Sequence, residues 1–274
     1  MKIKELLLKT YQQKILTAQE IDNILALALK RKRDYLYKNG DKELNISLLK
    51  TFQKLIKKRL NNIPFAYLNK KKEFYNLKFL VNKNTLIPRP ESELIIDSAL
   101  DYIKEKKIKN IKIIDIGTGS GCLIISLVKQ LKKYQALALD INKKALKIAQ
   151  TNARKHKVKI TFLQSNLLTK IKKQNFNIIL ANLPYLEKKE LKEPSIVKEP
   201  RQALDGHREG LKYYRELIKE LANYLAEEFI VLFEINPTQK NKLDNLIKKE
   251  LPLNKVEYLK DLNNNIRVLK ITNK

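Results

Sequence analysis

From residue 111 onward the chain alternates two kinds of apolar pattern, and that alternation limits its fold more than any other feature. Short runs dense in Ile, Leu, Val and Phe, namely "IKIIDIG", "YQALALDI", "KITFLQSN", "FNIILAN" and "FIVLFEI", read as strands buried in a sheet. "CLIISLVKQLKK", "KKALKIAQTNARKH" and residues 211–227 read as helices among them. "VEYLKD" and "IRVLKIT" close the chain and are expected to pair antiparallel. Strands alternating with helices predict an α/β fold, a mostly parallel Rossmann-like sheet of seven strands with helices on both faces. In such a sheet the ligand sits outside the carboxyl ends of the strands, so the residues there are the candidates for chemistry.

The first 62 residues carry only helical signals. Thr17 and Glu20 in "TAQE" form a capping box, followed by Ile21, Ile24, Leu25 and Ala28 at helical spacing. "NGD" at 39–41 is expected to break that helix, and "ISLLKTFQKLIKKRL" forms another. Residues 63–90 mix aromatics with short β-like runs and predict a hairpin joining two domains. They end on Pro88, Arg89 and Pro90, a stiff extended segment before the helix "ESELIIDSALDYIKE". The expected organisation is a small helical bundle over 1–70, a hairpin linker over 71–90 and an α/β domain over 91–274.

The chain of 274 residues is 43% hydrophobic, enough for a real core. No apolar stretch approaches the ~20 residues that a membrane helix needs. The start "MKIKELLLKTYQQ" lacks a secretory h-region, and the single cysteine, Cys122, forbids an internal disulfide. A cytoplasmic location with no membrane partner is expected. Lys and Arg number 57 against 29 Asp and Glu, a formal charge of +28. An anionic partner such as RNA, DNA or a ribosome would suit that charge. The lysines run along the whole chain, however, among many Asn and Ile residues, so compositional drift suits it better and no specific nucleic acid is expected. Cys122 reads as a small residue packing helix on sheet. His156 lies in the charged stretch "RKHKVK" and His207 in a loop, neither at metal-ligand spacing, so no metal is expected.

"DIGTGSG", residues 115–121, follows the first strand of the sheet and opens a helix. Gly117, Gly119 and Gly121 allow a tight turn and a close backbone approach to a ligand. A dinucleotide fingerprint would want glycine at 122, where this chain has cysteine. Asp140 ends the second strand, where a carboxylate can accept both hydroxyls of a ribose. The loop resembles motif I of the class I S-adenosylmethionine-dependent methyltransferases. That resemblance implies a cofactor site made by Asp115, Gly117, Thr118, Gly119, Ser120, Gly121, Asp140, Asn166, Leu167 and Asn182. Asp115 would meet the cofactor's amino group, Asn166 would contact the adenine, and Leu167 would cover its face.

"ANLPYL", residues 181–186, closes the strand "FNIIL". It resembles the Asn-Pro-Pro-Tyr signature of enzymes that methylate exocyclic or amide nitrogens. An amide nitrogen is a poor nucleophile because its lone pair is delocalised. The enzyme must aim that lone pair and stabilise the positive charge that grows on nitrogen. Two acceptors for the NH₂ protons do both: the side-chain oxygen of Asn182 and the backbone carbonyl of Leu183. Pro184 stiffens the turn and Tyr185 packs on the planar group. Leu183 stands where the signature usually has proline. A carbonyl survives that exchange, so Leu183→Pro is expected to be neutral or mildly favourable.

The signature is shared by DNA adenine-N6 and protein glutamine methyltransferases. "FAYLNKKKEFYNLKF", "LIPRPESELII" and "EPRQALDGHREGLKYYREL" decide between them. Together they resemble the bacterial release factor glutamine-N5 methyltransferases, the HemK-like family, over roughly residues 60–240. The departures are Leu183, His207 where a second glycine is usual, and Asn236 where glycine is usual. Asn can take the left-handed backbone glycine prefers, so the change at 236 is expected to be mild. The resemblance implies methylation of the glutamine in the Gly-Gly-Gln loop of class I peptide chain release factors, leaving S-adenosylhomocysteine. It also implies that the N-terminal domain recognises the factor and that Arg89, Pro90 and Glu199 join Asn182, Leu183, Pro184 and Tyr185 at the substrate; the alternatives are an interdomain salt bridge for Arg89 and a structural cap or ion pair for Glu199, and a monomer is expected. The alternatives are a nucleic-acid adenine-N6 methyltransferase, for which the charge would be functional, and a non-enzymatic RNA- or ribosome-binding protein.

Overall fold

The structure is a computed structural model that describes residues 1–273. The chain divides into two compact units, Met1–Lys70 with Pro194–Lys198, and Lys71–Glu193 with Glu199–Lys274.

The first unit is helical: α1 (Ile3–Gln12), α2 (Ala18–Leu29), α3 (Asp34–Lys38), α4 (Ile46–Leu60) and α5 (Phe65–Asn69). Its core gathers Ile3, Ile21, Ile24, Leu25, Leu36, Phe52 and Ile56. The capping box forms: Glu20 N–H donates to Thr17 Oγ1 at 3.2 Å and Thr17 N–H to Glu20 Oε2 at 3.1 Å. The helix it starts ends sooner than "NGD" predicted. Lys30 turns left-handed at φ 54°, and Arg31 N–H returns to the Ala26 carbonyl at 3.0 Å. That is the usual helix-ending motif, made here without glycine.

The second unit opens with a hairpin, β1 (Lys71–Phe74) and β2 (Leu77–Leu80). Tyr75 and Asn76 between the strands both have positive φ, as a two-residue hairpin turn requires. Then come α6 (Glu93–Lys106), β3 (Ile111–Ile116), α7 (Cys122–Val128), β4 (Tyr134–Asp140), α8 (Lys143–His156), β5 (Thr161–Gln164) and β6 (Phe176–Ala181). The chain continues with α9 (Lys212–Leu221), β7 (Leu225–Glu234), α10 (Lys240–Glu250), β8 (Lys255–Lys260) and β9 (Ile266–Thr272). The sheet order is β5-β4-β3-β6-β7-β9-β8. Its first five strands are parallel, while β9 is antiparallel to both β7 and β8.

Adjacent residues of each strand point to opposite faces, and two cores follow from that. Ile113, Ile178 and Ile230 pack with Ile95 and Ile96 of α6 and Leu123 and Leu127 of α7. Ile114, Ile179 and Val231 pack with Tyr214 and Leu217 of α9 and Leu243 and Ile247 of α10. Three expected boundaries move. α7 stops at Val128. The helix expected over 211–227 ends at Leu221, and a 3-10 turn leads into a longer β7, which pairs from Leu225. α10 had no counterpart in the expectation. Among the described residues no helix is long and apolar enough to cross a membrane.

Candidate active site

Two turns emerge side by side at the carboxyl edge of the sheet. β3 and β6 are parallel neighbours, with Ile116 opposite Ala181. β4 lies on the other side of β3, so the strand order reverses here, and that is where a crevice opens. The residues following β3 are 117–121 and those following β6 are 182–185. Gly117 has φ 77°, and a Cβ built on it would lie 2.9 Å from Leu183 Cδ2. The left-handed backbone favours glycine, and any side chain there would push the Leu183 side chain aside.

The glycine loop is tied to the end of β4. Gly117 and Thr118 donate to the Leu139 carbonyl at 2.9 and 2.8 Å. Gly119 N–H donates to Asp140 Oδ2 at 2.8 Å and Asn142 N–H to Oδ1 at 2.7 Å. Burial raises the Asp140 pKa, and those two amides work against the rise. Asp115 is completely buried. Thr118 Oγ1 donates to its Oδ2 at 2.6 Å, while Oδ1 has no hydrogen-bond partner among the described residues. Burial, helped by the charge of Asp140, pushes the Asp115 carboxyl up to about 7. Asn152 of α8 locks the loop from below. Its Nδ2 donates to the Ser120 carbonyl at 2.9 Å and the Leu80 carbonyl at 3.0 Å, and its Oδ1 accepts from Leu80 N–H at 2.7 Å. Ser165 N–H reaches the Asp140 carbonyl at 3.1 Å, which carries Asn166 and the left-handed Leu167 to the same edge.

Around Asn182 the polar contacts converge on one carboxylate. Its Nδ2 donates to Glu234 Oε2 at 2.7 Å and lies 3.4 Å from Ser92 Oγ. The Ser92 hydroxyl donates to the same Oε2, and Tyr185 OH donates to Oε1 at 3.1 Å. Glu234 is 3% exposed. Burial raises its pKa, and the Ser92 and Tyr185 donors oppose the rise. Tyr214 OH donates to the Glu234 carbonyl and accepts from Leu183 N–H at 3.2 Å. A proline at 183 would lose that N–H, so the exchange expected to be neutral removes a hydrogen bond.

A second loop supports the turn. A Cβ on Gly210 would fall 2.0 Å from the Tyr185 carbonyl oxygen, and one on Gly206 2.7 Å from that of Pro184. Gln239 Nε2 donates to the carbonyls of Tyr185 and Gly210 at 3.1 and 3.0 Å. Asn236 is not left-handed. It sits at φ −77° and caps the next turn by accepting from Thr238 N–H at 3.1 Å. His156, in the charged stretch "RKHKVK", is half-buried, its ring 5.1 Å from that of Phe79. Cys122 borders the crevice with its thiol pushed up to about 12 by burial, a neutral thiol at physiological pH.

The crevice wall includes Gly117, Thr118, Gly119, Ser120, Asp140, Asn166, Leu167, Asn182, Leu183, Pro184 and Arg89. Asp115, Gly121, Tyr185, Pro90 and Glu199 are not part of that wall. Both oxygens of Glu199 are engaged: Oε1 forms an ion pair with Arg89, and Oε2 accepts from Ile87 N–H at 2.9 Å. Sequence reasoning passed over Ser92, Asn152, Tyr214 and Glu234. Glu234 did carry a signal. Like Asp115 and Asp140, it is an acid at or near the end of a strand, here after the apolar run "FIVLF".

Residues 13–68 match the PrmC N-terminal domain and residues 95–207 the Methyltransferase small domain. The release factor glutamine methyltransferase of Flavobacterium psychrophilum is 34% identical over 284 residues, 97% of this chain and 99% of that protein. The bifunctional methyltransferase of Rickettsia bellii is 32% identical over 252 residues. That match takes in 81% of this chain and 45% of the Rickettsia protein, so the chain spans less than half of that relative. A solved methyltransferase from Pyrococcus furiosus superposes with a TM-score of 0.53 at 16% identity, over 79% of this chain and 98% of that one, a likeness of fold. On the near-complete match to the Flavobacterium protein, with both family domains in order, the chain belongs to the release factor glutamine methyltransferase family.

Proposed function

We propose that this chain methylates the side-chain amide nitrogen (N5) of the glutamine in the Gly-Gly-Gln motif of class I peptide chain release factors, using S-adenosylmethionine. The observation that carries the reading is that Asn182 and Leu183 share one crevice with the glycine loop and Asp140. The bound cofactor supplies an electrophilic methyl group on a sulfonium sulfur. The residues present fit it. Asp140 is anchored by two amides and retains lone pairs for ribose hydroxyls. Asp115 is not on the crevice wall, and its buried Oδ1, which has no partner among the described residues, would meet the cofactor's ammonium group through water. Asn166 and Leu167 border the crevice at the end of β5, where an adenine ring would lie.

At the substrate end, Asn182 Oδ1 and the Leu183 carbonyl accept the two NH₂ protons. Acceptance turns the nitrogen lone pair toward the methyl group and stabilises the charge that develops as the new bond forms. Pro184 holds the turn rigid, and Tyr185 fixes it through Glu234. Arg89 lines the crevice with its guanidinium paired to Glu199, and Pro90 starts the next turn. The helical domain over 1–70 recognises the release factor. The enzyme acts as a cytoplasmic monomer, where the translation machinery is, and releases S-adenosylhomocysteine. The test is to incubate the protein with methyl-labelled S-adenosylmethionine and either an unmodified release factor or duplex DNA. Label in the factor's Gly-Gly-Gln peptide is expected. Label in adenine of the DNA would replace this reading with the adenine-N6 one.

A further inference from the structure

We infer that Glu234 is a positioning residue that sets the polarity of the Asn182 amide, turning its oxygen toward the substrate before the substrate arrives. The inference rests on the reaction proposed above and adds a residue that acts through Asn182. A carboxylate can only accept hydrogen bonds. Asn182 places one amide atom 2.7 Å from Glu234 Oε2. Were that atom the oxygen, two electron-rich oxygens would face each other in a buried site at contact distance. The NH₂ must therefore face Glu234, and Oδ1 must face away from it.

The rest of the cluster makes that arrangement hard to reverse. The Ser92 hydroxyl donates to the same Oε2, and Tyr185 OH holds Oε1 at 3.1 Å. Three donors from two segments thus engage both oxygens of one buried carboxylate, and none of them can turn over without losing its acceptor. Glu234 itself ends β7, next to β6 in the sheet, with Phe233 opposite Ala181, so its side chain comes from a rigid element rather than a loop. A free asparagine amide would present donor and acceptor about equally. Only the acceptor orientation helps a substrate NH₂.

The competing account is that Glu234 merely ties Ser92, Tyr185 and β7 together. A double-mutant cycle separates the two. Glu234→Gln keeps the shape but offers one acceptor oxygen and an NH₂ where two acceptors are used. We expect kcat for methyl transfer to a release factor to fall about 10- to 100-fold, the cost of a misaimed group. KM for the factor and calorimetric affinity for S-adenosylhomocysteine should stay within about threefold. In an Asn182→Ala background the same exchange should cost less than about twofold, because the residue it acts through is gone. Glu234→Asp, which keeps the carboxylate, should retain more activity than Glu234→Gln, and it carries the cycle if Glu234→Gln does not fold. Losses that multiply in the double variant, or unchanged kcat in Glu234→Gln, would overturn the inference. A wild-type protein that does not label the release factor at all would instead remove the reaction on which it rests.

Discussion

His207 holds φ 61° and ψ −146°, a region that glycine enters freely and other residues enter only under strain. Its N–H is fixed by Asp205 Oδ1 at 2.9 Å, so the conformation is imposed by the loop. His207→Gly should therefore raise stability by about 1 kcal/mol, read as a higher denaturant midpoint. An unchanged or lower midpoint would show that the ring's contact with Tyr213 outweighs the strain. Leu183→Pro should cost about 1 kcal/mol, because Leu183 N–H donates to Tyr214. Asp115 gives a pH effect with a definite sign. The folded protein keeps its proton up to about 7, while the unfolded chain releases it near 3.8. Between those values the folded state binds more protons, so stability falls as pH rises through the window. Asp115→Asn should flatten that slope in denaturation series, and a slope unchanged by the substitution would contradict the assignment. The candidates read from the sequence were those whose meaning is local, a glycine loop or an Asn-x-Pro-Tyr run. Glu234 was not among them, since its partner Ser92 lies 142 residues away and Asn182 lies 52 away.

At the scale of elements, the sheet was legible because the parallel strands are short stretches rich in Ile, Leu, Val, Phe and Ala, and the reversal of strand order at β3 puts both signature turns at one crevice. What escaped had weaker local signals. α2 ends on a left-handed lysine where no glycine marks the stop. α10, "KNKLDNLIKKE", buries only Leu243 and Ile247, too thin a stripe to stand out among lysines. The hairpin read as a link belongs to the second unit, where β2 is bonded to Asn152. Asn152 is wholly buried and ties β2, α8 and the glycine loop together. Asn152→Ala would strand three backbone groups, at a cost of about 3 kcal/mol. It should also weaken binding of S-adenosylhomocysteine, measured by calorimetry at a temperature where the variant is folded. Full affinity in the folded variant would mean that the loop holds its shape without α8.

For the whole molecule, the charge of +28 separates two kinds of partner. Spread along the chain, it should give loose attraction to any polyanion, with affinity for DNA or RNA falling steeply as salt rises and no preference for sequence. A sequence-specific complex that survives physiological salt would make a nucleic acid the substrate after all. The family and the fold are those of a methyltransferase, and in the reaction proposed for it Asn182 receives the amide of a release factor glutamine. Single-turnover methyl transfer to an unmodified release factor by Asn182→Ala tests it most directly, with affinity for S-adenosylhomocysteine measured alongside. The interaction strengthens as charge develops on nitrogen, so its loss belongs to the transition state. The expected rate is lower by about 10² to 10³, with cofactor affinity little changed. A folded Asn182→Ala protein that turns over at the wild-type rate would contradict it.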